Sequence, residues 1–291
     1  MYGDHKTYAA MSKDMGQTWT MFKSSEFTGF AHKIKEDNVN SNLLFLGTEM
    51  GLFASVDGGA NWFRMKNNIP WYAMVRDIKI HPVTNDLVIA THGRGIIITD
   101  DISPMRTLTP AIAKQDVYIF PQPDMLLRNG VLGGASFPPQ GGWVGGNAPD
   151  LSPIQYYLKD RVTAGEAKID ILDKDGKLVQ TMPAGKRKGL NKVYWNTRIT
   201  PPKVAGGGSK LDQSGFVAPM VLPGTYTIKL TVGNKEYTSQ VKMVHNDSNK
   251  DLTIQGQQDL YNNAMQLFNA HERLAAMVGD VSAKLAVVKE E

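Results

Sequence analysis

Ser12-Lys13-Asp14-Met15-Gly16-Gln17-Thr18-Trp19 and Ser55-Val56-Asp57-Gly58-Gly59-Ala60-Asn61-Trp62 are two copies of one pattern, Ser-x-Asp-x-Gly-x-Thr/Asn-Trp, placed 43 residues apart. The pattern describes a turn between two strands. An Asp side chain accepts hydrogen bonds from the N–H groups of its own turn, Gly supplies a positive φ, and Ser or Thr ties down the approach. The Trp then opens the outgoing strand and buries a large apolar surface. Asp14 and Asp57 therefore read as turn-builders rather than catalytic acids. The repeat continues outside the turns: Ala31-His32-Lys33-Ile34-Lys35 through Val39–Leu46 aligns with Val75-Arg76-Asp77-Ile78-Lys79 through Val83–Ala90 at a shift of 44. Thr48–Ser55 then aligns with His92–Thr99, and Asp57 with Asp101. After Asp101 the third copy has Ile102-Ser103-Pro104 and no Gly or Trp, so the series degenerates.

The two turns resemble the Asp-box, or bacterial neuraminidase, repeat. That resemblance implies β-propeller blades, with Ser12, Asp14, Gly16 and Trp19, and Ser55, Asp57, Gly59 and Trp62, as the structural residues; the spacing suits one four-stranded blade per repeat. Two full repeats and a partial one fall short of the four to eight blades of a closed propeller. An unclosed blade leaves a bare edge strand. The expectation is the C-terminal portion of a longer chain, whose upstream blades would be partners of those seen here; the alternative is several short chains closing a ring together.

Composition bounds the rest. The 291 residues carry a net charge of +4, 28 Gly, 15 Pro and 42% hydrophobic residues, which favours a β-rich soluble protein of about two domains and a tail. There is no cysteine, so disulfides, thiolate zinc sites and a cysteine nucleophile are excluded. No apolar run approaches membrane-spanning length, and Met1–Lys6 has no signal-peptide core. The tight basic group Lys186-Arg187-Lys188 lacks the aromatic partners of a nucleic-acid groove, so no nucleic-acid partner is expected. No cofactor or metal is expected: His271 has no His-x-x-x-His or Glu-x-x-His companion, and Asp173-Lys174-Asp175-Gly176-Lys177 reads as a tight turn rather than a calcium loop.

The fold class expected is mainly β: a partial β-propeller over residues 1–120, a Gly/Pro-rich connector over 121–153, a β-sandwich over 154–246 and a helical tail over 251–291. Within the connector, Trp143 reads as a packing residue. Alternating runs at Ile154–Leu158, Ala167–Leu172, Lys192–Trp195, Gly224–Val232 and Glu236–Val244 give the sandwich its strands. Thr253 caps the tail, whose apolar residues recur every three or four positions. Ile171–Lys177, Gly189–Asn196 and Pro223–Tyr226 resemble the Ig-like domain of flagellar hook-capping proteins, a module that serves as a spacer.

Blades ending in Ala90–Ile102, with Thr91-His92-Gly93-Arg94-Gly95 as the most specific element, an Ig-like unit and a helical tail together resemble the C-terminal part of bacterial sortilin-like, Asp-box-repeat proteins, often labelled glycosyl hydrolases. The resemblance implies export to the periplasm or beyond, and a non-catalytic binding or scaffold role toward glycan or protein partners. The alternative is a sialidase-like or xyloglucanase-like glycoside hydrolase whose catalytic residues lie largely upstream. Such chemistry needs two carboxylates across a sugar, or an arginine cluster with a tyrosine nucleophile, and no complete set stands in this chain. No Gly-x-Ser-x-Gly elbow or His-Glu-x-x-His supports a peptidase. His92 and Arg94 are the candidate binding residues, with Gly93 and Gly95 projecting the guanidinium; the competing role for Arg94 is an ion pair with Asp100 or Asp101.

Overall fold

The computed structural model describes residues 3–66, 68–127, 151–205, 218–246 and 252–290. Most of the expected connector, with Trp143, lies outside the described residues. The chain divides into two compact units, Met1–Asp116 and Val117–Glu291.

The first unit contains β1 (Ala10–Met11), β2 (Thr20–Met21), β3 (Ala31–Glu36), β4 (Leu44–Thr48), β5 (Gly51–Ser55), β6 (Phe63–Arg64), β7 (Met74–Ile80), β8 (Leu87–His92) and β9 (Ile96–Thr99), then short helices α1 (Ser103–Thr107) and α2 (Pro110–Ala113). They make antiparallel sheets in the orders β1-β2, β3-β4-β5-β6 and β7-β8-β9. The middle sheet is buried on both faces, which is why every residue of β4 and β5 is buried. One face, through Phe45, Leu52 and Ala54, packs with Val75, Ile78 and Ile89 of the third sheet. The other, through Leu44, Leu46 and Phe53, packs with Phe22, Trp62 and Met11. At Gly47 the sheets come so close that a Cβ would stand 2.5 Å from Val75 Cγ1. The described sheets stack in sequence order and do not close a propeller.

The two turns repeat bond for bond. Ser12 Oγ donates to Asp14 Oδ1, Thr18 N donates to Oδ1 and Thr18 Oγ1 to Oδ2, and Gly16 N donates to Ser12 Oγ. In the second copy Ser55, Asn61 and Gly59 make the same contacts with Asp57 and Ser55. The Thr18 hydroxyl, with Thr18 N–H and Ser12, holds Asp14 at about 2. Burial raises Asp57, yet the bonds from Asn61 and Ser55 outweigh it and leave the carboxyl lowered. The two tryptophans differ in their surroundings: Trp62 is 7% exposed, whereas Trp19 is 65% exposed. The sequence expects both to be buried. Trp62 is covered by Phe22 and Phe27, and among the described residues no equivalent pair covers Trp19.

Strand register also corrects the alignment. Phe45 opposes Ala54, and Val88 opposes Ile98, so β8 matches β4 at a shift of 43 while β7 and β9 match at 44. The connection before β8 is one residue shorter than that before β4. The turn after it is one longer: His92-Gly93-Arg94 stands between Thr91 and Gly95 where Glu49-Met50 stands between Thr48 and Gly51.

The second unit contains β10 (Val117–Ile119), β11 (Met125–Leu126), β12 (Ser152–Leu158), β13 (Ala167–Leu172), β14 (Leu178–Pro183), β15 (Gly189–Trp195), β16 (Gly224–Val232), β17 (Lys235–Val244) and α3 (Ile254–Glu290). Sheets β10-β12-β15 and β11-β17-β16-β13-β14 share one core, with Ile154, Tyr156 and Trp195 from the first and Ile169, Ile228, Leu230 and Val241 from the second. Val117–Ile119, which the sequence places at the end of the first domain, pairs with β12. Asp173 Oδ1 accepts from Asp175 N and Lys177 N to close the β13–β14 turn. Thr253 Oγ1 accepts from Gly256 N and caps α3.

Gly279 lies inside α3 with nothing within 4 Å of the position a Cβ would take. Gly279→Ala is therefore expected to stabilise the helix by about 0.5–1 kcal/mol through the unfolded chain. A rise in mean-residue ellipticity and unfolding midpoint checks this; an unchanged or lower midpoint rules it out.

Candidate functional site

The antiparallel ladders sort the loops of the first unit to two ends. The two Ser-x-Asp turns, the β7–β8 connection and the segment after β9 lie at one end. At the other lie the Glu49-Met50 turn, residues 68–73 that lead into β7, and the His92-Gly93-Arg94 hairpin, because Met74 pairs with His92 and Thr48 with Gly51. The second end gathers exposed aromatic and basic side chains.

Its anchor is Arg64 at the close of β6. The guanidinium donates to the carbonyls of Met50 and Trp71 and stacks 4.0 Å from the Trp71 ring centroid. Gly51 makes room, since a Cβ there would stand 2.8 Å from Arg64 Nη2. Trp71 is thereby held in place while 54% exposed, and Tyr72, edge-on to it at 6.4 Å, is 70% exposed. An exposed ring held by a guanidinium that is itself hydrogen-bonded to the backbone offers area at low entropy cost.

His92 and Arg94 are both exposed at the same end. Thr91 N and Oγ1 both donate to the Gly95 carbonyl, which closes the hairpin beneath Arg94. The ion pair considered for Arg94 is not made: Asp100 and Asp101 follow the other end of β9, about 13 Å along the strand. Asp101 instead orders the chain after β9, its N–H donating to Asp86 Oδ1 and its Oδ1 accepting from Ser103 N. Glu49 is at the same end, where its N–H donates to the Phe30 carbonyl.

Two further residues join this end that no local motif marks. His32 and Arg76 are each the extra residue of a β-bulge, skipped in the β3–β4 and β7–β8 ladders. Bulges re-aim side chains at sheet edges, and these two meet across the sheets, Arg76 Nη1 lying 3.3 Å from His32 Nδ1. Lys33 and Asp77, one position on, form an ion pair at 3.3 Å. The Ile78 N–H bonded to Asp77, outweighing slight burial and aided by Lys33, lowers that carboxyl. Both pairs are separated by 44 residues, so the repeat alignment itself carried the signal: residues in one column stand side by side on successive sheets.

The second unit has a cavity of about 240 Å³ lined by Asp173, Val179, Tyr226 and Tyr261 among others, below the usual volume of a ligand pocket. Burial and the nearby Tyr261 push Tyr226 up to about 12, and its hydroxyl donates to the Leu222 carbonyl. That is a structural role. Among the described residues no group of His, Asp and Glu is arranged to hold a metal, and no helix is long and apolar enough to cross a membrane.

The chain matches no family model and no curated protein. Solved structures that resemble it are extracellular domains of a hybrid two-component system (12% identity, TM-score 0.28, 81% of this chain and 29% of that one) and of a one-component system (9%, 0.24, 80% and 28%), both from B. thetaiotaomicron. A biofilm-associated protein domain resembles it at 8% identity and TM-score 0.22, over 74% of this chain and 24% of that one. The chain thus spans under a third of the length of each.

Proposed function

We propose that the first unit is a non-catalytic binding or scaffold module, taking a glycan or protein partner at the end that bears Trp71, Tyr72, His92 and Arg94. The observation that carries this reading is the exposed Trp71 ring stacked on Arg64, with Tyr72 edge-on to it, at the same end as a lengthened hairpin that carries a second exposed guanidinium. Aromatic and arginine side chains on rigid supports are the residues that dominate recognition surfaces. The chemistry suits an acidic or hydroxyl-rich ligand: ring faces for apolar surface, and Arg94, Arg76 and His92 for oxyanions or hydroxyls. The opposite end is occupied by turns whose carboxylates are consumed in their own hydrogen bonds. Export of the protein, and further blades completing this module, rest on the family resemblance.

The test is binding of the purified chain to an immobilised panel of neutral and sialylated oligosaccharides and acidic peptides. Trp71→Ala and Arg94→Ala are each expected to weaken the affinity for a panel ligand about tenfold or more, with unchanged melting curves because both side chains are exposed. Binding that survives both substitutions, or no binding to any member of the panel, sinks the proposal. Loss of the folded state in Arg94→Ala would make that residue structural.

A further inference from the structure

Helix α3 covers 37 residues, about 55 Å, and one of its sides is left open. Gln257 is buried, Tyr261, Ala264, Phe268, His271, Ala275 and Val278 are half-buried, and Gln257 bonds to His245, so this side leans on the second unit. The other side carries Leu260, Leu267, Leu274, Val281 and Val288 at strict intervals of seven, with exposures of 57, 61, 52, 65 and 68%. Asn263, Ala270, Met277 and Lys284 interleave them at the three-and-four spacing of a knobs-into-holes seam.

We infer that this open side pairs with the same helix of a second copy of the chain, in antiparallel orientation. Area is the first argument. Side chains of this size carry about 100 Å² of apolar surface each. The exposed fraction at these five positions, Met277 and Leu285 leaves about 400 Å² per helix, so two helices with their polar flanks bury about 1,000 Å² in total, where specific interfaces begin.

Charge complementarity sets the orientation. Arg273 and Asp280 flank the seam on one side, both exposed, and neither has an ion pair within its own chain among the described residues. Antiparallel pairing about a twofold axis between seam residues 274 and 277 brings Arg273 opposite Asp280 of the second copy, and by symmetry makes that bridge twice. The same register packs Leu274 against Met277, Val281 against Ala270, and the stem of Lys284 along Leu267. Parallel pairing would instead stack Lys284 on Lys284 and leave both flanking charges without opposite partners.

Sedimentation equilibrium of the full chain from 1 to 100 μM tests the inference. The wild type is expected to dimerise within that range, and Leu274→Glu to raise the dissociation constant at least 100-fold with an unchanged melting curve for the monomer. R273E and D280R are each expected to weaken the dimer about tenfold, and R273E/D280R to restore it, because the reversed pair meets across the axis. A monomer at 100 μM overturns the inference and leaves the seam to a helix of another chemistry. A dimer indifferent to Leu274→Glu overturns it by placing the contact elsewhere, and failure of the double reversal to rescue overturns the antiparallel register.

Discussion

Arg106→Met is expected to remove about 3–5 kcal/mol from the stability of the first unit, the usual consequence of stranding a buried charge. Arg106 Nε and Nη2 donate to the two oxygens of Asp37 at 2.9 Å each, the Asp37 side chain has no exposed surface and that of Arg106 is 13% exposed. The third nitrogen donates to Asn85 Oδ1 at 2.7 Å, and Asp37 also accepts from Val39 N and Asn40 N. One guanidinium thus ties the β3–β4 connection, the β7–β8 connection and α1 together. Burial raises the Asp37 carboxyl, but the bonds from Arg106, Asn40 and Val39 outweigh it and leave the group below its usual value. The pH dependence follows in sign. With a depressed folded value, the wild type holds this contribution above the ordinary carboxylate range and loses it as the pH falls through the lower folded value. In Arg106→Met burial acts with weaker opposition, the folded value rises, and the deficit shrinks on acidification. Urea midpoints from pH 7 down to about pH 2 report both. A loss below about 1 kcal/mol at pH 7 would mean that the pair behaves as a surface ion pair.

The second large effect is a contrast. Trp62→Ala is expected to cost about 3–5 kcal/mol and Trp19→Ala less than about 1 kcal/mol. The two residues hold the same place in the repeat, and each indole N–H donates to a glycine carbonyl three residues back, at 3.0 Å to Gly59 and 3.1 Å to Gly16. The local hydrogen bond is therefore common to both and cancels. What differs is cover: Trp62 packs edge-on against Phe22 at 5.3 Å and Phe27 at 5.4 Å. Equal losses in the two variants would show that the turn, not the packing between sheets, sets the value of the tryptophan.

Those two predictions mark where the sequence was legible. The 44-residue period, the turn chemistry around Asp14 and Asp57, the sandwich strands and the Thr253 cap are all local, and local patterns survive in one dimension. The Arg106–Asp37 pair joins residues 69 positions apart with no periodic signal. The exposure of Trp19 depends on what lies beside a sheet rather than within it. At the candidate site, His92 and Arg94 stood out because glycines flank them, whereas Trp71 and Tyr72 looked like any aromatic pair before a strand until the Arg64 stack gave them a fixed position. The bulges at His32 and Arg76 were hidden for another reason: a bulge belongs to the pairing of two strands, and a constant 44-residue alignment conceals the single-residue shift that register exposes.

Gly47 limits how this repeat can be copied. Its missing side chain is what admits Val75 between the second and third sheets, and the residue in the same ladder position one sheet later is Ala90. A duplicated segment carrying its own equivalent of Val75, laid on the outer face of the third sheet, would meet a methyl group where the present pair has empty space. The interval between sheets would have to widen there, and the packing of Ile96 and Ile98 would loosen with it. A further sheet added at constant spacing needs a compensating change at one of these two positions, and the repeats are for that reason not mechanically interchangeable parts.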